Sequence, residues 1–216
     1  MIESSFEALP SAATVVAYAV AVVVLVVTPG PDMALFLGRT IAGGRRSGYA
    51  VLAGTTAGLY VHTGLAAFGL SALIAASPAA FTALKWAGAA YLVWLAIATL
   101  VRGSAFEPKT EAGERETLGR SFLVGLGVNI LNPKIVLFFV TFLPQFVEPG
   151  DPHAAFRLAF LGGLYGLIGA PICVGLILAA DRVAGAFAAS RRLRRAFDVA
   201  TASLFGLFAA KLAFGR

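Results

Sequence analysis

The sequence predicts an all-α, polytopic membrane protein, and three observations carry that reading. The first is composition: 59% of the 216 residues are hydrophobic and 13% charged, with a mean hydropathy of +0.85. A soluble domain runs nearer half apolar and a quarter charged. The second is run length. A spanning helix needs about 20 apolar residues, so a chain this long holds at most about eight spans and no sizeable soluble domain. The third is the placement of the basic residues, which collect in alternate loops.

Taken in order, six spans emerge. Residues 12–38 carry one charge, Asp32, and make the first. Residues 48–101 hold only Lys85 and are too long for one crossing, so they fold back once, at Ala75-Ala76-Ser77-Pro78, where the proline interrupts helical continuation. These are spans two and three. The stretch 102–120, with Glu107, Lys109, Glu111, Glu114, Arg115 and Glu116, is a hydrophilic mobile loop. Residues 121–147 form a fourth span around Lys134, 158–180 an uncharged fifth, and 196–214 a sixth with Asp198 and Lys211 near its ends. The amino-terminal region holds Glu3 and Glu7 and no Lys or Arg, so the first span reads as a retained helix and not as a cleaved leader.

A net charge of +6 would point to nucleic acid in a soluble protein. Here Arg39, Arg45 and Arg46 fall in the first loop, Arg102, Lys109, Arg115 and Arg120 in the third, and Arg182, Arg191, Arg192, Arg194 and Arg195 in the fifth. That is twelve of the 17 basic residues. Basic loops are retained in the cytoplasm, which puts both termini outside it. The Arg191–Arg195 cluster is then a topogenic and lipid-headgroup patch and not a nucleic-acid site.

The chain reads as one membrane domain of two three-helix repeats, 1–101 and 121–216, joined by the cytoplasmic linker 102–120. A proline motif breaks the first helix of each half: Thr28-Pro29-Gly30-Pro31 and Leu131-Asn132-Pro133-Lys134. In the second helix of each, Gly58-Leu59-Tyr60 recurs as Gly163-Leu164-Tyr165, with Gly64 and Gly169 six residues after the glycine. Three spans per half is an odd number, so the repeats cross the membrane with opposite polarity, the inverted architecture of many secondary transporters.

The breaks are where chemistry is expected. Proline removes a backbone donor, and an irregular backbone at membrane depth is tolerated only where it is buried in protein or lines a polar cavity. Half-helix ends suit charged groups, positive amino ends taking anions and carboxyl ends taking cations. A zwitterion would find both. Asp32 and Lys134 each follow a break directly. A charge in hydrocarbon costs about 3 kcal/mol on insertion scales, so both should turn inward and approach each other. They would act either as an ion pair or as ligands for a substrate's ammonium and carboxylate, with Asp32 a candidate proton carrier. Tyr60 and His62 of the second span are further candidates. A histidine can relay protons near neutral pH, although a lone one is more simply a hydrogen-bonded packing residue. Asn129 and Asn132 should satisfy backbone groups freed by Pro133 and also contact substrate. Gln145 reads as a local cap, Gly54-x-x-x-Gly58 and Gly162, Gly163, Gly166 and Gly169 as close-packing surfaces, and Pro171 as a kink. Cys173, the single cysteine, reads as a small buried apolar residue and excludes a disulfide framework or a Cys-based zinc site.

The Thr28-Pro29-Gly30-Pro31-Asp32 motif resembles one signature region of the lysine exporter superfamily (LysE/RhtB type). The second signature region is similar to Asn129-Ile130-Leu131-Asn132-Pro133-Lys134 together with Leu137-Phe138-Phe139 and Phe142-Leu143-Pro144-Gln145-Phe146. The likeness spans essentially the whole chain. It implies a small multi-pass exporter of the bacterial inner membrane, driven by the proton-motive force and without a bound cofactor, and it implies site roles for Pro29, Gly30, Pro31, Asp32, Asn132, Pro133 and Lys134. Its substrates would be amino acids or derivatives. One clear intramembrane carboxylate against one ammonium favours a neutral one, such as homoserine, homoserine lactone, threonine or leucine, over a basic amino acid. A metal-ion exporter would want a softer ligand set than Cys173 and His62. A membrane-embedded enzyme would want a convergent catalytic set that this chain lacks. The expected partners are the amino acid, protons, membrane lipids and, as an assembly, a homodimer.

Overall fold

The computed structural model of the chain describes residues 9–70, 72, 77–102, 117–148 and 150–214. Every regular element among them is helical: α1 (Ala12–Val27), α2 (Pro31–Gly43), α3 (Arg45–Gly64, continued by a π-helical Leu65–Leu70), α4 (Pro78–Arg102), α5 (Leu118–Leu131), α6 (Pro133–Leu137), α7 (Ala154–Leu178), α8 (Ala180–Ala189) and α9 (Arg191–Phe214). After α6 the chain loosens and then tightens, through a π segment, Phe138–Phe142, and a 3₁₀ turn, Leu143–Phe146.

Arg45–Gly69, Ala154–Leu178 and Arg191–Phe214 are each long and apolar enough to cross a membrane. Two further helix pairs are apolar and long enough only when each is taken together across its break. Ala12–Val27 and Pro31–Gly43 meet at 51°, and Leu118–Leu131 and Pro133–Phe146 at 49°. Both bends fall at the proline motifs, with Pro31 and Pro133 opening the second half-helix, where the missing N–H costs nothing. The protein is therefore an all-α polytopic membrane protein. Helix α4 adds a shorter apolar stretch, Lys85–Val101, and packs along α9.

Close helix packing follows from the glycines. A Cβ on Gly54 would run into the carbonyl of Phe122, and one on Gly125 into that of Val51, so α3 and α5 touch backbone to backbone. Gly58 lies against Asn129, and Gly162 of α7 against Thr63. Gly163 has open space where its Cβ would be, and so is not a packing position. Two apolar cores result. One gathers Tyr18, Phe138, Phe139, Phe142, Leu161 and Phe208; the other gathers Met33, Phe36, Leu37, Val51, Ile177 and Phe187. Cys173 packs against both.

Several boundaries differ from the sequence reading. The first loop shrinks to Gly44, whose φ of 79° lies where glycine is favoured, and Arg39 and Arg45 belong to helices. The expected fifth loop is also helical: α8 is a separate amphipathic helix, and Arg191–Arg195 form the first turns of α9. Cations at a helix amino end oppose the dipole, but here they reach carbonyls elsewhere. Arg194 donates to the Phe187 carbonyl at the end of α8, and Arg195 to that of Leu100, at 2.8 Å, at the end of α4. Arg45 does the same for Leu178 at the end of α7, at 3.3 Å. Helix α7 begins at Ala154 and continues through Pro171. The turn residues Ala75 and Ala76 and the bulk of the hydrophilic loop, 103–116, lie outside the described residues.

Candidate functional site

At the first break, Val24 accepts two bonds, from the Thr28 N–H at 3.1 Å and from its hydroxyl at 2.7 Å. The Leu25 carbonyl loses its helical donor because residue 29 is proline. Lys134 takes that place. Its Nζ donates to the Leu25 carbonyl at 3.2 Å and to that of Thr28 at 2.8 Å. A cation thus sits at the negative carboxyl end of α1. A Cβ on Gly30 would stand 3.0 Å from Lys134 Nζ, so a side chain there would crowd the end of the lysine; its φ of −171° is ordinary extended backbone.

The second break is built the same way. Pro133 deprives the Asn129 carbonyl of its partner four residues on, and that carbonyl accepts instead from the Asn132 N–H at 3.0 Å and from His62 Nε2 at 3.3 Å. The Asn132 side chain caps α6 by accepting from the Lys134 N–H at 3.0 Å. Asn129 Nδ2 in turn donates to Asp32 Oδ2 at 2.7 Å, tying the first turn of α2 to the end of α5.

Asp32, Asn129 and Lys134 line one cavity, whose remaining wall comes from Val26, Met33, Phe36, Leu52, Thr55, Thr56, Leu59, Ile135 and, on α7, Tyr165, Gly166, Gly169, Ala170 and Cys173. It offers about 60 Å³ to the centres of water molecules, room for roughly four to six of them. The small face of α7, at 166, 169, 170 and 173, follows helical spacing and leaves the space open. No ion pair among the described residues joins Asp32 to Lys134. Asp32 Oδ1, Asn129 Oδ1 and Asn132 Nδ2 are buried and without a hydrogen-bond partner. Two acceptors and a donor thus stand without partners at the Asp32 carboxyl and the two amides, next to the Lys134 side chain.

Of the residues singled out from sequence, Pro29, Gly30, Pro31, Asp32, Asn129, Asn132, Pro133 and Lys134 converge here. His62 is buried behind Asn129, stacked on Phe139 with centroids 5.7 Å apart, and does not line the cavity. Tyr60 is 52% exposed and does not line the cavity, although its hydroxyl lies against Gly166 of α7, whereas Tyr165, its counterpart in the repeated tripeptide, is 7% exposed and on the cavity wall. The tripeptide therefore recurs in sequence but not in environment. Cys173, expected to be buried packing, also lines the cavity. Gln145 is a local cap, donating to the Thr141 carbonyl at 3.0 Å. Thr55 and Thr56 carried no sequence signal beyond their spacing from Leu52 and Leu59.

Helices opened in mid-span so that their ends face a polar cavity are how secondary transporters build a substrate site, and this is a membrane transporter. The chain belongs to the LysE type translocator family, whose model matches residues 23–216. It is 34% identical over 200 residues to a homoserine/homoserine lactone efflux protein of Salmonella typhimurium, covering 93% of this chain and 96% of that one. It is 32% identical over 201 residues to an uncharacterized membrane protein of Pseudomonas aeruginosa, covering 91% and 93%. It is 34% identical over 143 residues to an uncharacterized membrane protein of Bacillus subtilis, covering 62% and 68%. No solved structure matches it.

Proposed function

We propose that the protein exports a small neutral amino acid or a close derivative across the bacterial inner membrane, in exchange for protons. Homoserine, homoserine lactone, threonine and leucine are the favoured candidates, homoserine and its lactone being named for the Salmonella relative. The observation that carries this reading is the set of unused atoms at the two breaks. Asp32 Oδ1 and Asn129 Oδ1 offer acceptors to an α-ammonium. Asn132 Nδ2 and the third N–H of Lys134, whose other two serve Leu25 and Thr28, offer donors to a carboxylate or a lactone carbonyl. Unpaired buried polar atoms are costly, and a bound zwitterion would satisfy all of them at once. With the ammonium gone, Asp32 is the group suited to take a proton on the return step, which is the sense in which export would be antiport.

Transport also needs the site closed on one side at a time. Beyond the cavity, rings meet edge-on or tilted in series, with centroids 5.3 Å apart between Tyr165 and Phe138, 5.9 Å between Phe138 and Tyr18, and 5.2 Å between Tyr18 and Phe146. By the charge distribution this layer faces away from the cytoplasm, so the cavity receives substrate from inside. The test is efflux of preloaded amino acids from cells making wild type, Asp32→Asn or Lys134→Met at matched membrane levels. Both variants should lose at least about tenfold in rate, the size of one charge-assisted contact. Full efflux by either sinks the site, and export of lysine or arginine in preference to neutral residues would replace the neutral substrate by a basic one.

A further inference from the structure

We propose that Thr55 and Thr56 read the substrate's side chain, and that the cavity favours one carrying a hydroxyl. This rests on the amino-acid reading above and adds the part of the molecule that the charged breaks leave unread. Leu52, Thr55, Thr56 and Leu59 stand at i, i+3, i+4 and i+7 of α3, one face of the helix, and all four line the cavity. Two hydroxyls thus sit in the middle of an otherwise apolar wall. Each is already oriented: Thr55 Oγ1 donates to the Leu52 carbonyl at 3.0 Å and Thr56 Oγ1 to the same carbonyl at 2.7 Å. A hydroxyl has one proton and two lone pairs, so with both protons committed these side chains offer acceptors alone. The matching group on a ligand is a neutral donor. A side-chain carboxylate would meet lone pairs. A side-chain ammonium would find no charge to balance it, because Asp32 is the one carboxylate lining this cavity and is taken by the α-ammonium.

Threonine hydroxyls in membrane helices bond back to their own helix whether or not they have another task, so the test must separate reading from packing. Valine keeps the shape and branching of threonine and removes the oxygen, and the Leu52 carbonyl retains its ordinary backbone donor within α3. Efflux is measured for two pairs that differ only by hydroxyl against methyl: homoserine with norvaline, and threonine with valine. Wild type should export the hydroxyl member of at least one pair about three- to tenfold faster, the discrimination expected of a neutral hydrogen bond. In Thr55→Val/Thr56→Val that ratio should fall to near one. Thr56→Ser, which restores the acceptor, should keep the ratio. An unchanged ratio in the double variant, or an equal loss of both pair members in it and in each single valine variant, overturns the assignment and leaves the exporter reading standing. Wild type that moves neither member of either pair overturns the hydroxyl assignment, and it overturns the exporter reading as well if leucine is not moved either.

Discussion

Two carbonyls, those of Leu25 and Asn129, stand four residues before a proline and recover the lost bond from a side chain on another helix, Lys134 in one case and His62 in the other. An unsatisfied buried carbonyl costs about 1–3 kcal/mol, so Lys134 has a structural task at Leu25; the Asn129 carbonyl also holds the Asn132 N–H, so His62 adds a second bond there and packs on Phe139. His62→Gln retains a donor and should keep efflux with an unaltered pH profile, whereas His62→Leu should lower the detergent-solubilised Tm and the membrane level. A pH profile displaced in His62→Gln would make the ring a proton relay after all. Lys134 differs because it also lines the cavity, so its proposed transport role would fall to the hydrogen that Leu25 and Thr28 leave over.

At the scale of the element, the bundle depends on where glycine lets backbones meet. Any side chain at Gly54 collides with the main chain of α5 and cannot be relieved by a rotamer change, whereas a methyl group at Gly163 enters open space. Gly54→Leu should therefore abolish recovery of monodisperse protein in detergent, and Gly163→Ala should leave recovery and efflux at wild-type levels. Equal behaviour of the two would show that α3 and α5 do not pack as described. The sequence marks both glycines alike, and only the packing tells them apart. The same limit hid α8. Ten residues alternating Ala with Asp181, Arg182 and Phe187 read as loop by composition, and what makes them a helix is Phe187 burying against Phe197 while Arg194 closes the helix end.

For the whole molecule, Arg45, Arg194 and Arg195 cap the ends of α7, α8 and α4, and the same arginines are the ones the positive-inside rule expects on the cytoplasmic side. With α4 counted as a full crossing there are six spans, and a reporter active only outside the cytoplasm should be active when fused after Arg216. Cytoplasmic activity there would mean an odd number of spans or the opposite orientation. Cys173 lines the cavity and is the chain's single cysteine, so the wild-type protein supplies its own probe. A membrane-impermeant thiol reagent should label it in inside-out vesicles and not in intact cells, and the reverse pattern would place the aromatic layer on the cytoplasmic side.

What the sequence determined by itself follows from backbone chemistry and solvation. Proline cannot donate, charge cannot face lipid, and twenty apolar residues cross a bilayer, so the breaks, the inward turn of Asp32 and Lys134 and the membrane class are legible without coordinates. The tertiary structure alone decided that Tyr165 and not Tyr60 meets the cavity, that Cys173 and the two threonines line it, that His62 stands behind Asn129, and that Asp32 and Lys134 each hold neutral partners in place of one another. The physical reason is that a spanning helix is apolar on every side. Its rotation about its own axis leaves no periodic signal, and is set only when glycines, ring stacks and freed carbonyls on neighbouring helices find their partners.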